Sequence, residues 1–192
     1  PQDAPPVVLL ATDRAAYAQL SLLITHGRRN APKGECQLAL DDVCSHSAGL
    51  LACVPLKRLA VNNNADNNET DHPAALTRYR ECFGDRCYGL AELHQGTNDS
   101  LLLDRMGKLA KHVGVPLAAS NDVYYHSKKR QPLQDILTAI RHGCTVTELG
   151  QFRFPNAERH LKSELQMREL FSAMPEAVEL TRKIAERCTF SL

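Results

Sequence analysis

The sequence carries no surplus of charge: 23 lysines and arginines stand against 22 aspartates and glutamates, for a formal charge of +1. No global pull toward nucleic acid or membrane follows, so any basic binding surface must be local. The longest apolar stretches, such as Leu50 to Leu56, fall far short of the ~20 residues that span a bilayer. No signal-peptide hydrophobic region is recognisable, and the expectation is a soluble, cytoplasmic protein. The cysteines (Cys36, Cys44, Cys53, Cys82, Cys87, Cys144 and Cys188) are odd in number and include no CxxC pair. Such a set fits neither a zinc ribbon nor a complete disulfide framework, and reduced thiols are expected. A Walker loop, GxGxxG, GxSxG, HExxH and internal repeats are all missing.

What is present suffices for an ordinary core: 192 residues, of which 43% are apolar, enough for one domain with or without an appendage. Pro1-Gln2-Asp3-Ala4-Pro5-Pro6 leads into Val7-Val8-Leu9-Leu10-Ala11 without a starting Met. The expectation is a chain that begins inside a larger polypeptide.

Four apolar runs read as buried strands: Val7 to Ala11, Leu50 to Leu56, Tyr88 to Leu93 and Pro116 to Ser120. Helical periods separate them. One begins at Asp13, places Tyr17, Leu20 and Ile24 on one face, and should stop at Gly27. A second runs from about Asn98 to Val113 with Leu102, Met106 and Leu109, ending at Gly114. In a third, Pro132 occupies the first turn of a helix that carries Leu133, Ile136, Leu137 and Ile140 and closes at Gly143. This alternation predicts an α/β sheet with parallel strands or an incomplete βα barrel over residues 1–150. Ser163-Glu164-Leu165-Gln166 resembles a capping box and Pro175 starts another helix, so a helical extension is expected over 151–192. The polar segment between Leu59 and Pro73, rich in Asn, reads as a surface loop.

In such folds functional groups gather at the C-terminal ends of strands. After the fourth strand, Asp122 and His126 could ligate Zn²⁺ or Mn²⁺, or serve as a capping Asp and an exposed His. Cys53 is a small core side chain or a ligand. His26, at a helix end, answers the dipole or joins a site. Glu92 and His94, spaced two apart at the third strand's end, share a face. Two basic groups, Arg28, Arg29 and Lys33, and then Lys128, Lys129 and Arg130, offer local surface for phosphate or simple solvation.

Several segments resemble one known family in order. They are Leu23-Ile24-Thr25-His26-Gly27-Arg28-Arg29 through Ala31-Pro32-Lys33-Gly34, Ala119-Ser120-Asn121-Asp122-Val123, and Pro132 through Arg141. Pro155 through Ser163 and Ile184 through Leu192 follow. The chain is similar to error-prone DNA polymerases of the C family, relatives of the alpha subunit of bacterial DNA polymerase III. The resemblance implies the later part of a PHP (polymerase and histidinol phosphatase) domain, a distorted βα barrel with a helical extension leading toward the palm. It implies Zn²⁺ or Mn²⁺ at the strand ends, with Asp122, Cys53, His26 and His126 as ligand positions, and Mg²⁺ in the parent polymerase. Tyr124 stands where the family's Asp-x-His motif has histidine. DNA, deoxynucleoside triphosphates and mutagenesis-complex proteins are the implied partners. The acidic residues of nucleotidyl transfer lie in a later domain, so this fragment is expected to be catalytically silent. The alternatives are a metal-dependent phosphoesterase or 3′–5′ exonuclease, and a pure interaction module.

Overall fold

A computed structural model describes residues 1, 4–61 and 72–191. Four strands, β1 (Val8–Ala11), β2 (Leu50–Pro55), β3 (Cys87–Glu92) and β4 (Leu117–Ser120), form one sheet in the order β1-β2-β3-β4. The helices are α1 (Arg14–Arg29), α2 (Leu40–Ser45), α3 (Lys57–Val61), α4 (His72–Phe83), α5 (Asp99–Val113), α6 (Gln131–His142), α7 (Glu164–Leu170) and α8 (Pro175–Arg187). Each expected strand is present within a residue or two of its predicted bounds. No helix among the described residues is long and apolar enough to cross a membrane.

The strands β2, β3 and β4 pair in parallel, as the alternation of strand and helix requires, but β1 pairs antiparallel to β2. The connection decides this: the end of β1 at Ala11 lies opposite the start of β2 at Leu50, so α1 and the segment carrying α2 together bring the chain back to the end of the sheet that it left. At that end the Thr12 hydroxyl donates to the Gly49 carbonyl at 2.7 Å. The sheet is mixed.

Alternation along each strand divides the core in two. Leu50, Ala52, Val54, Cys87 and Ala91 face a large cluster filled by Leu23 of α1, Leu76, Tyr79 and Phe83 of α4, and Met106 of α5, with Phe171 after α7. Leu51, Cys53, Tyr88 and Ala118 face the other way, where Ile184, Leu180 and Cys188 cover them. Residues beyond 150 thus help fill both faces of the sheet.

Helix ends follow their sequence signals in most places. Gly114 and Gly143 close α5 and α6 in the left-handed conformation (φ 75° and 63°), and Ser163 caps α7. Gly27 does not end α1. It is buried inside the helix, where a Cβ would come within 2.7 Å of Cys36 Sγ and Leu38 Cγ, and the helix runs on to Arg29. The buried face of α1 is Ala16, Leu23 and Gly27, while Tyr17 and Ile24 are exposed. Leu59 and Ala60, expected at the edge of a loop, are buried in α3, and residues 62–71 of that loop lie outside the described residues.

Two of the cysteines are bonded. Cys44 of α2 and Cys82 of α4 form a disulfide with Cα atoms 5.5 Å apart, beside an Arg78–Asp41 ion pair of 2.6 Å joining the same helices. This corrects the expectation that every thiol is reduced: an odd total says nothing about which two side chains the helix packing brings together. Cys36, Cys53, Cys87, Cys144 and Cys188 are free.

Gly89 in β3 leaves room for the Leu56 and Leu117 side chains to close over the sheet. A Cβ there would meet Leu56 Cδ1 at 2.6 Å and Leu117 Cδ1 at 3.2 Å, both core side chains. Gly89→Ala is therefore expected to cost about 1–3 kcal/mol by overpacking. A urea midpoint equal to that of the unsubstituted chain would refute this.

Candidate functional site

The C-terminal ends of β2, β3 and β4 lead into Lys57, into Glu92 and His94, and into Asn121 and Asp122. Among the described residues, two non-glycine residues have positive φ, Gln95 (52°) and Asp122 (44°), and they lie just beyond β3 and β4. Left-handed backbone is uncommon outside glycine, though Asp tolerates it, and such residues cluster where a fold shapes a site. A later segment holds the site together: Tyr124 and Tyr125 N–H groups donate to the Arg159 carbonyl at 2.9 and 3.3 Å, and Leu161 N–H donates to the Tyr125 carbonyl at 3.1 Å. Tyr125 and His160 form a parallel β-bridge.

His94 is buried and fully engaged. Its Nε2 lies 3.1 Å from the Asn121 carbonyl and its Nδ1 lies 3.2 Å from Lys57 Nζ. A carbonyl only accepts and an ammonium only donates, so the ring is neutral, with its proton on Nε2 and its Nδ1 lone pair directed at Lys57. Burial, with Arg159 and Lys57 adding to it, brings the imidazole down to about 4. Burial also raises Glu92 above the usual carboxylate range, opposed by Arg159 and Lys57.

Arg159 pairs with the Asp122 carboxylate and lies over the Phe154 ring at 4.4 Å and the Tyr124 ring at 5.7 Å. Beside it, Lys162 bonds Asn121 Oδ1 at 3.0 Å and pairs with Glu158 at 3.3 Å, and Lys128 reaches the other oxygen of Glu158 at 2.6 Å. Burial pushes Glu158 up, but hydrogen bonds from Lys128 and Lys162 outweigh it and hold the carboxyl below its ordinary value. Lys57, Lys128, Arg159 and Lys162 face Glu92, Asp99, Asp122 and Glu158. The formal charges balance within the cluster, four cations against four carboxylates.

The four residues named as ligand positions have other neighbours. Asp122 is half-exposed and committed to Arg159. Cys53 is buried in a cluster with Leu51, Tyr88 and Ile184, where burial, with Cys188 adding, pushes its thiol up to about 11. His26 lies 3.3 Å from Asp42 and 2.9 Å from Asn30, near α2. His126 is exposed in a cleft with Tyr124 and Leu133. Among the described residues no three His, Cys, Asp or Glu side chains are placed to hold a metal ion. The donors present do not fit a closed site, which needs about four free ligands.

The basic residues also divide. Arg28 is spent on the Gly34 and Glu35 carbonyls at 3.0 and 3.3 Å, and Lys128 on Glu158, while Arg29, Lys33, Lys129 and Arg130 are exposed. Sequence reasoning found Glu92, His94 and Asp122 but overlooked Lys57 and Arg159. Lys57 could have been found, since it follows a strand end as directly as Asp122 does; Arg159 could not, because it reaches the site from a distant segment.

An α/β unit whose strand ends carry a self-neutralised polar cluster defines a structural class without naming a reaction. No family model matches the chain. Similarity to individual proteins is extensive: it is 36% identical over 194 residues to the error-prone DNA polymerase of Rhodopirellula baltica. It is 40% identical to that of Pseudomonas aeruginosa and 42% to that of Methylococcus capsulatus. Each match covers all of this chain but about 17% of the relative, so the chain spans roughly one-sixth of their length. The chain is homologous to one segment of the error-prone DNA polymerases.

Proposed function

We propose that the chain is the later part of the PHP domain of a C-family error-prone polymerase, part of an incomplete βα barrel that supports nucleotidyl transfer without performing it. The observation that carries this reading is the similarity along the whole chain to a segment of proteins named error-prone DNA polymerases. DNA, deoxynucleoside triphosphates and Mg²⁺ then belong to the parent enzyme, whose catalytic acidic residues lie in a separate domain, and copying of damaged templates in the bacterial cytoplasm is its setting. Mutagenesis-complex proteins would meet that larger assembly.

The strand-end cluster supports a structural role for what the family resemblance marks as a metal site. Lys57 occupies the His94 lone pair and Arg159 occupies Asp122, so cations of the chain itself stand against the donors. The buried Lys162–Glu158 pair beside them makes the cluster sensitive to single substitutions, since removing one partner leaves the other charge buried and uncompensated. The test is elemental analysis after dialysis together with a nuclease assay in Mn²⁺. The expected result is well under one metal per chain and no cleavage. Stoichiometric metal with cleavage abolished by Asp122→Asn would establish a phosphoesterase instead.

A further inference from the structure

Helix α6 buries its polar side and exposes its apolar one. Its buried side chains are Asp135 and Ala139, whereas Leu133 is 47%, Ile136 47%, Leu137 52% and Ile140 71% exposed. These four residues recur at i, i+3, i+4 and i+7, which places them in one stripe. Leu133 and Leu137 also line a cleft of about 210 Å³ with Tyr124, itself 45% exposed, so the apolar surface continues onto the strand-end loop. Single exposed leucines are ordinary; a contiguous stripe marks a contact surface. Arg130 precedes the helix and Arg141 lies in its last turn, while its one carboxylate, Asp135, is buried against Arg153 at 3.0 Å. The exposed surface of α6 therefore has cations at both ends and no anion.

We propose that this stripe docks another segment of the parent polymerase polypeptide, one with an apolar centre and carboxylates at its margin. The proposal rests on the polymerase reading above. Two observations select this occupant. Relatives carry about five-sixths of their length outside the matched segment, and polypeptide tethered to the stripe meets it at an effective concentration that a free partner does not reach. The flanking arginines favour acidic margins. Nucleic acid fits less well, because four apolar side chains offer nothing to phosphate.

The experiment uses the full parent polymerase. Ile140→Cys is labelled with a maleimide, peptide by peptide under mass spectrometry, against the exposed controls Lys108→Cys and Arg182→Cys, whose native side chains are 75% and 81% exposed. Labelling at 140 is expected to be slower by about 10-fold or more, without DNA and unchanged on dilution. Equal rates overturn the docking and leave the polymerase reading intact. Protection that is lost on dilution, with a dimer in sedimentation, assigns the stripe to a second copy and overturns the proposal; protection that requires DNA overturns it as well. A reading frame without the polymerase catalytic domain sinks the polymerase reading itself, independently of any labelling.

Discussion

Reduction of the Cys44–Cys82 bond is expected to lower stability by about 4 kcal/mol and the thermal midpoint by about 10 °C. The bridge joins residues 38 apart in sequence, and cross-linking a segment of that length removes much of the loop entropy of the unfolded chain. The folded state loses little on reduction, because α2 remains tied to α4 by the Arg78–Asp41 pair and by Val43, Tyr79 and Phe83 in the main cluster. Thermal unfolding with and without dithiothreitol measures the difference. A chain carrying both Cys44→Ala and Cys82→Ala should unfold near the reduced midpoint and ignore the reductant. If the midpoint is the same in both conditions, the bridge contributes nothing.

Acidification is expected to cost about 3 kcal/mol through His94 alone, in the window from pH 6.5 to about 4. The folded imidazole is brought down from 6.5 to about 4. Between those values the unfolded chain binds the proton and the folded chain does not, so stability is whole above 6.5 and declines as pH falls. The groups facing His94 are Lys57, Arg159, Asp99 and the Asn121 carbonyl. Glu92, raised by burial, works in the opposite sense, since its folded form takes up a proton before the unfolded one does. Urea midpoints at pH 7.5 and 4.5 for the unsubstituted chain and His94→Gln separate these contributions. The variant should be less stable at the higher pH and show a flatter acid branch; parallel pH profiles would remove His94 from the account.

The parts of the fold that were legible in the sequence are those set by local patterns. Strand runs, the glycine ends of α5 and α6, and the Ser163 cap depend on neighbours a few residues away, and all stand where expected. The direction of β1 was not legible, because it depends on how α1 and the returning segment traverse space. Periodicity likewise gave the apolar face of α6 but not what covers it. At the site, Glu92, His94 and Asp122 could be named from their strand ends, whereas the cations that engage them come from Lys57 and from Arg159, 37 residues past Asp122. Family resemblance named ligand positions, but it could not say that Cys53 is buried among Leu51, Tyr88 and Ile184.

The covering of the second sheet face by α8 has a consequence for synthesis on the ribosome. β4 ends at Ser120, but Ile184, which closes over Leu51, Tyr88 and Ala118, comes 64 residues later in the chain. At roughly 5–20 residues per second, about 3–13 s pass between their emergence. During that interval a nascent chain can complete its strands but not shield one side of them. Such exposed apolar surface is what holdase chaperones bind, so a vulnerable moment of this polypeptide falls after these four strands have been translated and before α8 has left the exit tunnel.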